Sequence, residues 1–263
     1  ISGLGAAYPD AALRLIGRPS IASLSHCPTI LDINNATFAS LYSPGGLSEL
    51  TRRIFADLDI LLAYAVDDEG QLAGRLQEIV PGTVLVHDPR PPLSIHIVDH
   101  LLEPLKRLGI PVTHPEPRIQ IQANDEIYGA KIWRDRHLKH PLVMIHIGSG
   151  GIGKCWSISK FHSLAERLSL EGIGTLLLQG PVELERSESD STEKTRPLVP
   201  PSLLDLAGLL ASADLFIGND SGPSHIAAAV GIPTLTLFGP TDPDRWQPRS
   251  DLARCITAPH GKI

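Results

Sequence analysis

An α/β fold with parallel sheets and helices on both faces is predicted by three features of the sequence. Short apolar runs stop abruptly at glycine, as residues 142–147 (Leu-Val-Met-Ile-His-Ile) do before Gly148, the pattern of a strand buried on both faces. Segments with apolar residues at helical spacing follow such runs, and the two patterns alternate from Leu142 onward. Glycine and proline, 23 of each in 263 residues, punctuate the changeovers. At roughly 150 residues per domain this length suggests two modest domains, placed at 1–135 and 136–263.

The carboxyl-terminal elements are the sharper ones. After the 142–147 strand comes a glycine-rich turn, then a helix with Ile158, Phe161, Leu164, Ala165 and Leu168 on one face, Ser157 as its N-cap and Gly172 and Gly174 as its stop. Residues 175–179 form the next strand, and 183–196 are polar, a solvated helix or loop. Ser202 with Asp205 starts a helix that buries Leu203, Leu206, Ala207 and Leu210. A strand at 215–218, a helix at 223–230 and a strand at 234–238 complete the alternation. In the amino half, strands are expected at 12–16, 60–66 and 83–87, and an amphipathic helix at 96–108. Pro111, Pro115 and Pro117 open the expected interdomain linker, which ends near Lys139.

Composition excludes several functions. With 23 Lys and Arg against 29 Asp and Glu, the net charge is −6, which argues against nucleic acid or an anionic membrane surface as main partner. Any site for an anion must be local. No uncharged apolar run approaches the ~18 residues that span a bilayer. Cys27, Cys155 and Cys255 are too scattered for a disulfide framework, which fits a reducing cytoplasm, and Cys255 with His260 makes no zinc motif. The chain opens on Ile1 without the pattern of a signal peptide and reads as trimmed at its start.

Residues 148–154 (Gly-Ser-Gly-Gly-Ile-Gly-Lys) allow three interpretations. As G-x-G-x-x-G they resemble a dinucleotide-binding turn, but Gln179 and Gly180 stand where an acidic residue should grip the ribose. As G-x-x-x-x-G-K they approach a P-loop, but Cys155 replaces the Ser or Thr that holds magnesium, and Trp156 and Ser157 delay the helix. The third needs only small residues that admit a ligand and Lys154 as a point charge for phosphate. A second segment, 218–225 (Gly-Asn-Asp-Ser-Gly-Pro-Ser-His), joins a strand to a helix that Pro223 suits at its first turn. Amides around Ser221, Gly222 and Ser224 would then form an anion site at the positive end of that helix, with the Ser221 hydroxyl and the His225 imidazole beside it. Asp220 would repel phosphate and is assigned to ribose hydroxyls or to capping the helix.

Residues 145–149 with Lys154 and Trp156, then 220–229, 231–234 and 237–241 with Trp246 and Pro248, resemble the heptosyltransferase-type glycosyltransferases of family 9, which act in lipopolysaccharide inner-core assembly. Residues 8–19 resemble the second strand of that family and the helix end before it. The resemblance implies two Rossmann-like domains facing each other across a cleft (GT-B type), the first binding an acceptor and the second a nucleotide-diphospho-sugar such as ADP-heptose. It implies inverting sugar transfer to a lipopolysaccharide-type or other glycan acceptor, without metal or cofactor, in the bacterial cytoplasm and in contact with the inner membrane only through the acceptor. Ser149, Lys154, Asp220, Ser221, Gly222 and His225 would hold the donor, with Glu183 (or Glu185) on its ribose. The general base of the family would precede Ile1, so no catalytic base is assigned; Asp32, His87, Asp88 and Asp99 are the replacements considered. A non-catalytic nucleotide-sugar binder and a P-loop-like phosphotransferase are the competing functions.

Overall fold

The computed structural model describes residues 1–43, 45–112, 114–180, 197–261 and 263. The chain divides into two compact units, Ile1–Pro115 and Glu116–Ile263.

In the first unit, strands β1 (Arg14–Gly17) and β2 (Thr29–Asp32) pair in parallel, as do β3 (Ile60–Tyr64) and β4 (Thr83–His87). Both pairs feed one core, in which Phe38, Phe55, Leu72, Leu76 and Ile79 are buried against Ile16 and Leu31 from one pair and Leu61 and Val84 from the other. The helices that close this core have local starts. Ser48 accepts from the Thr51 amide to cap Glu49–Phe55, and the Asp67 carboxylate accepts from the amides of Leu72 and Ala73 at the head of Gln71–Ile79. The amphipathic segment expected at 96–108 is the helix Ile97–Arg107, capped by the His96 imidazole. Strand β2 was not anticipated: Thr29–Asp32 is only four residues long and lacks a clear period.

The second unit is one five-stranded parallel sheet, in the order β6-β5-β7-β8-β9, formed by β5 (Leu142–His146), β6 (Gly174–Leu178), β7 (Leu215–Asn219), β8 (Thr234–Phe238) and β9 (Ala253–Thr257). Strand β5 is buried along its whole length, as its mostly apolar run requires, and the burial extends to His146 at its end. The helix Ile158–Leu170 carries the chain from β5 to β6 and buries Phe161 completely against Ile145, Leu177 and Ile217. Leu203–Ala211 begins where Ser202 accepts from the Asp205 amide, as the sequence predicts. Gly222–Val230 has Pro223 in its first turn and ends at Gly231, whose φ of 94° is open to glycine with little strain.

The linker expected between Pro111 and Lys139 is corrected by the helix Ala123–Asp135, which packs on Leu203–Ala211 within the second unit. Two glycines permit that crossing. A Cβ on Gly208 would lie 1.9 Å from the Asp125 carbonyl oxygen, and one on Gly129 would lie 2.5 Å from that of Gly208. The break between the units therefore falls at Pro115, twenty residues before the expected boundary at 135.

Candidate functional site

Strand β5 has β6 on one side and β7 on the other, so the chain leaves the two neighbouring strands β5 and β7 in opposite directions along the sheet. Open α/β sheets place ligands at this kind of switch, beyond the carboxyl ends of the strands. The loops that follow β5 and β7 meet there, around a cavity of about 450 Å³ lined by Ser149, Gly150, Gly151, Lys154, Asp220, Ser221, Gly222 and His225. Six of these eight are donor-site residues expected from the sequence; Glu183, the ribose candidate, and its alternative Glu185 lie outside the described residues.

Asn219, the last residue of β7 and fully buried, ties the two loops together. Its Nδ2 donates to the carbonyl oxygens of Ile147 and Gly148, both at 3.2 Å, and its Oδ1 accepts from the Trp156 amide at 2.9 Å. The Ser149 hydroxyl adds a direct tie by donating to the Asp220 carbonyl oxygen at 2.9 Å. Trp156 in turn rests edge-on against Phe161, which anchors the glycine loop to the core.

Lys154 closes a short 3-10 turn (Ile152–Lys154), and the next helix starts only at Ile158. This is unlike a P-loop, in which the lysine belongs to the first helical turn. The Cys155 thiol is turned back onto the Gly151 carbonyl oxygen. Lys154 Nζ instead reaches Asp220, donating to Oδ2 at 2.8 Å, and Thr241 Oγ1 donates to the same oxygen at 2.7 Å. Asp220 thus does not cap the following helix; that position belongs to Ser221, which makes no side-chain capping bond.

The helix entrance differs from expectation in one detail. The Ser224 amide donates to the Ser221 carbonyl oxygen, and its hydroxyl donates to that of Asn219, so Ser224 faces inward and does not offer its amide to an anion. The Ser221 hydroxyl donates to the Asn219 carbonyl oxygen at 3.2 Å. Ser221 and Gly222 remain at the entrance, on the cavity wall, at the positive end of a nine-residue helix. Together with Lys154 this gives one ammonium and one helix end facing a single space, the equipment for a phosphate-bearing ligand. The four residues considered as replacement bases, Asp32, His87, Asp88 and Asp99, all belong to the first unit and none lines this cavity.

Asn219 and Thr241 were missed as site residues. Both stand inside segments that the sequence singles out, but nothing in the local spelling shows that their side chains point across the sheet to other loops.

The family model for glycosyltransferase family 9 (heptosyltransferase) matches residues 85–262, more than half of the chain. The chain belongs to glycosyltransferase family 9. Among curated relatives, lipopolysaccharide heptosyltransferase 3 of Escherichia coli K12 is 30% identical over 167 residues, 58% of this chain and 46% of that protein. Lipopolysaccharide heptosyltransferase 1 of Pseudomonas aeruginosa is 37% identical over 105 residues, 39% of this chain and 29% of its own length. The matched region thus spans about half or less of these relatives. A family 9 glycosyl transferase from Veillonella parvula superposes with a TM-score of 0.76 at 21% identity, covering 98% of this chain and 80% of that one. E. coli heptosyltransferase WaaC with ADP gives 0.66 at 19% identity, covering 99% and 88%. These superpositions show that the chain has the family 9 fold, and the α/β class read from the sequence holds.

Proposed function

We propose that this family 9 chain binds a nucleoside-diphosphate sugar, with ADP-heptose as the preferred candidate, and serves its transfer to a lipopolysaccharide-type glycan acceptor. The observation that carries this reading is the convergence of Lys154 with the Gly222–Val230 helix end on one cavity. Two relatives in the family are heptosyltransferases by name, and one solved neighbour, WaaC, is a complex with ADP-2-deoxy-2-fluoro heptose.

The chemistry required is a displacement at the sugar's anomeric carbon. The acceptor hydroxyl oxygen forms the new bond, the bond to the diphosphate breaks with inversion, and the nucleoside diphosphate leaves with the electron pair. Negative charge grows on the leaving oxygens, where Lys154 and the Ser221 and Gly222 amides would stabilise it without a divalent ion. The acceptor hydroxyl gives up its proton to a general base as the new bond forms. No helix among the described residues is long and apolar enough to cross a membrane. We place the reaction on the cytoplasmic side of the inner membrane, reached through the lipid-linked acceptor.

A thermal-shift comparison of ADP, GDP and UDP tests the reading. A ligand at a hundredfold excess over its Kd stabilises the native state by about 2.7 kcal/mol. An ADP-selective shift that Lys154→Ala abolishes is expected, and no shift with any of the three nucleotides overturns the assignment.

A further inference from the structure

We propose that Asp220, positioned by Thr241, is a specificity-determining countercharge that favours the sugar-bearing diphosphate over the spent nucleoside diphosphate. This inference rests on the donor reading above. A carboxylate in the wall of an anion pocket opposes binding unless it has a use, and Asp220 is only 7% exposed. Its Oδ2 accepts from Lys154 Nζ at 2.8 Å and from Thr241 Oγ1 at 2.7 Å, so the ammonium is paired with a carboxylate of the cavity wall itself.

The two ligands differ in charge. Esterification by a sugar leaves the diphosphate with about two negative charges, whereas a free terminal phosphate ionises again with a pKa near 6 and carries about one more at neutral pH. Any phosphate that reaches Lys154 also comes close to Asp220, because both groups line the same cavity and touch each other. Repulsion there acts through a poorly solvated wall and is weighted against the ligand with the extra charge. The donor is retained and the leaving product is expelled. Thr241 fixes the oxygen that faces Lys154; without its hydroxyl the carboxylate loses that orientation, which makes Thr241 a positioning residue.

The test is isothermal titration at pH 7.5 of ADP, GDP and UDP, each beside its terminal methyl ester, which has the diphosphate but lacks the extra charge. Wild type, Asp220→Asn, Thr241→Val and Thr241→Ser are compared. Asp220→Asn is expected to shift the affinity ratio toward the free nucleoside diphosphate by about tenfold or more, the scale of one unit charge at this range. Thr241→Val should shift it the same way by less, and Thr241→Ser should match wild type. Binding with an unchanged ratio in Asp220→Asn overturns the inference while leaving the donor site intact. Equal shifts in Thr241→Val and Thr241→Ser, or none in Thr241→Val, overturn the role of Thr241. No binding of any of the six ligands by wild type overturns the donor reading and this inference with it.

Discussion

Asn219 Nδ2 donates a hydrogen bond to the Gly148 carbonyl oxygen at 3.2 Å, although the two residues are 71 apart in the chain. The same side chain holds Ile147 and Trp156. Replacing it by alanine leaves two carbonyl groups and one amide without their buried partner. Asn219→Ala is expected to destabilise the protein by about 3 kcal/mol, read from urea unfolding. Nucleotide binding should be lost even below the melting transition, because the two loops that form the cavity are no longer tied. A variant with normal stability and normal binding would show the clasp to be dispensable.

Lys154 is the one side-chain ammonium on the cavity wall among the described residues. Lys154→Ala is expected to lower the rate of transfer from ADP-heptose by the equivalent of 2–4 kcal/mol, roughly the loss of one preorganised donor to a developing oxyanion. The comparison belongs at saturating donor, where ground-state binding no longer contributes. Full activity there would remove Lys154 from the chemistry.

Gly208 and Gly129 set the distance between two helices of the second unit. Since a Cβ on Gly208 would stand 1.9 Å from the Asp125 carbonyl oxygen, Gly208→Ala must push the helices apart. A loss of at least about 2 kcal/mol is expected. Gly129→Ala, whose Cβ would stand 2.5 Å from the carbonyl oxygen of Gly208, should behave alike. Differential scanning calorimetry decides this, and an unchanged melting temperature in both variants would contradict the close packing.

Asp214 joins the start of β5 to the strand beside it. Its Oδ2 accepts from the Leu142 amide at 2.6 Å and from His140 Nδ1 at 2.7 Å. These bonds, the Leu142 amide first, hold its carboxyl below the usual carboxylate range. A depressed value means that the folded state prefers the ionised form. The resulting stability is complete above the ordinary carboxylate pKa of about 4 and disappears as pH falls through the lowered folded value. The group is largely exposed, so the effect is small, at most about 1 kcal/mol. Asp214→Asn should be less stable than wild type at pH 7, and in parallel urea titrations the two should converge as pH falls through the lowered folded value.

The sequence made the second unit legible because its elements are encoded locally. The run at 142–147 ends at Gly148 and the strand is found at Leu142–His146; Ser202 caps the helix it announces; and the strand expected at 234–238 is Thr234–Phe238. The convergence of two glycine-containing loops was also readable, since a parallel sheet delivers the carboxyl ends of its strands to one edge. Contacts that cross between elements were not. Nothing near Ala123–Asp135 shows that this helix packs on Leu203–Ala211, because the clue is a pair of glycines 79 positions apart that makes sense only in three dimensions. For the same reason the side-chain partners of Asp220 were not legible: Lys154 and Thr241 lie 66 and 21 residues away.

Every residue on the cavity wall belongs to the unit Glu116–Ile263, most of them at the ends of two adjacent strands. If this cavity holds the activated sugar, as proposed above, its recognition is encoded in a contiguous stretch of gene. On that proposal, a lineage that remodels the stretch before Glu116 leaves every residue of this cavity wall unchanged.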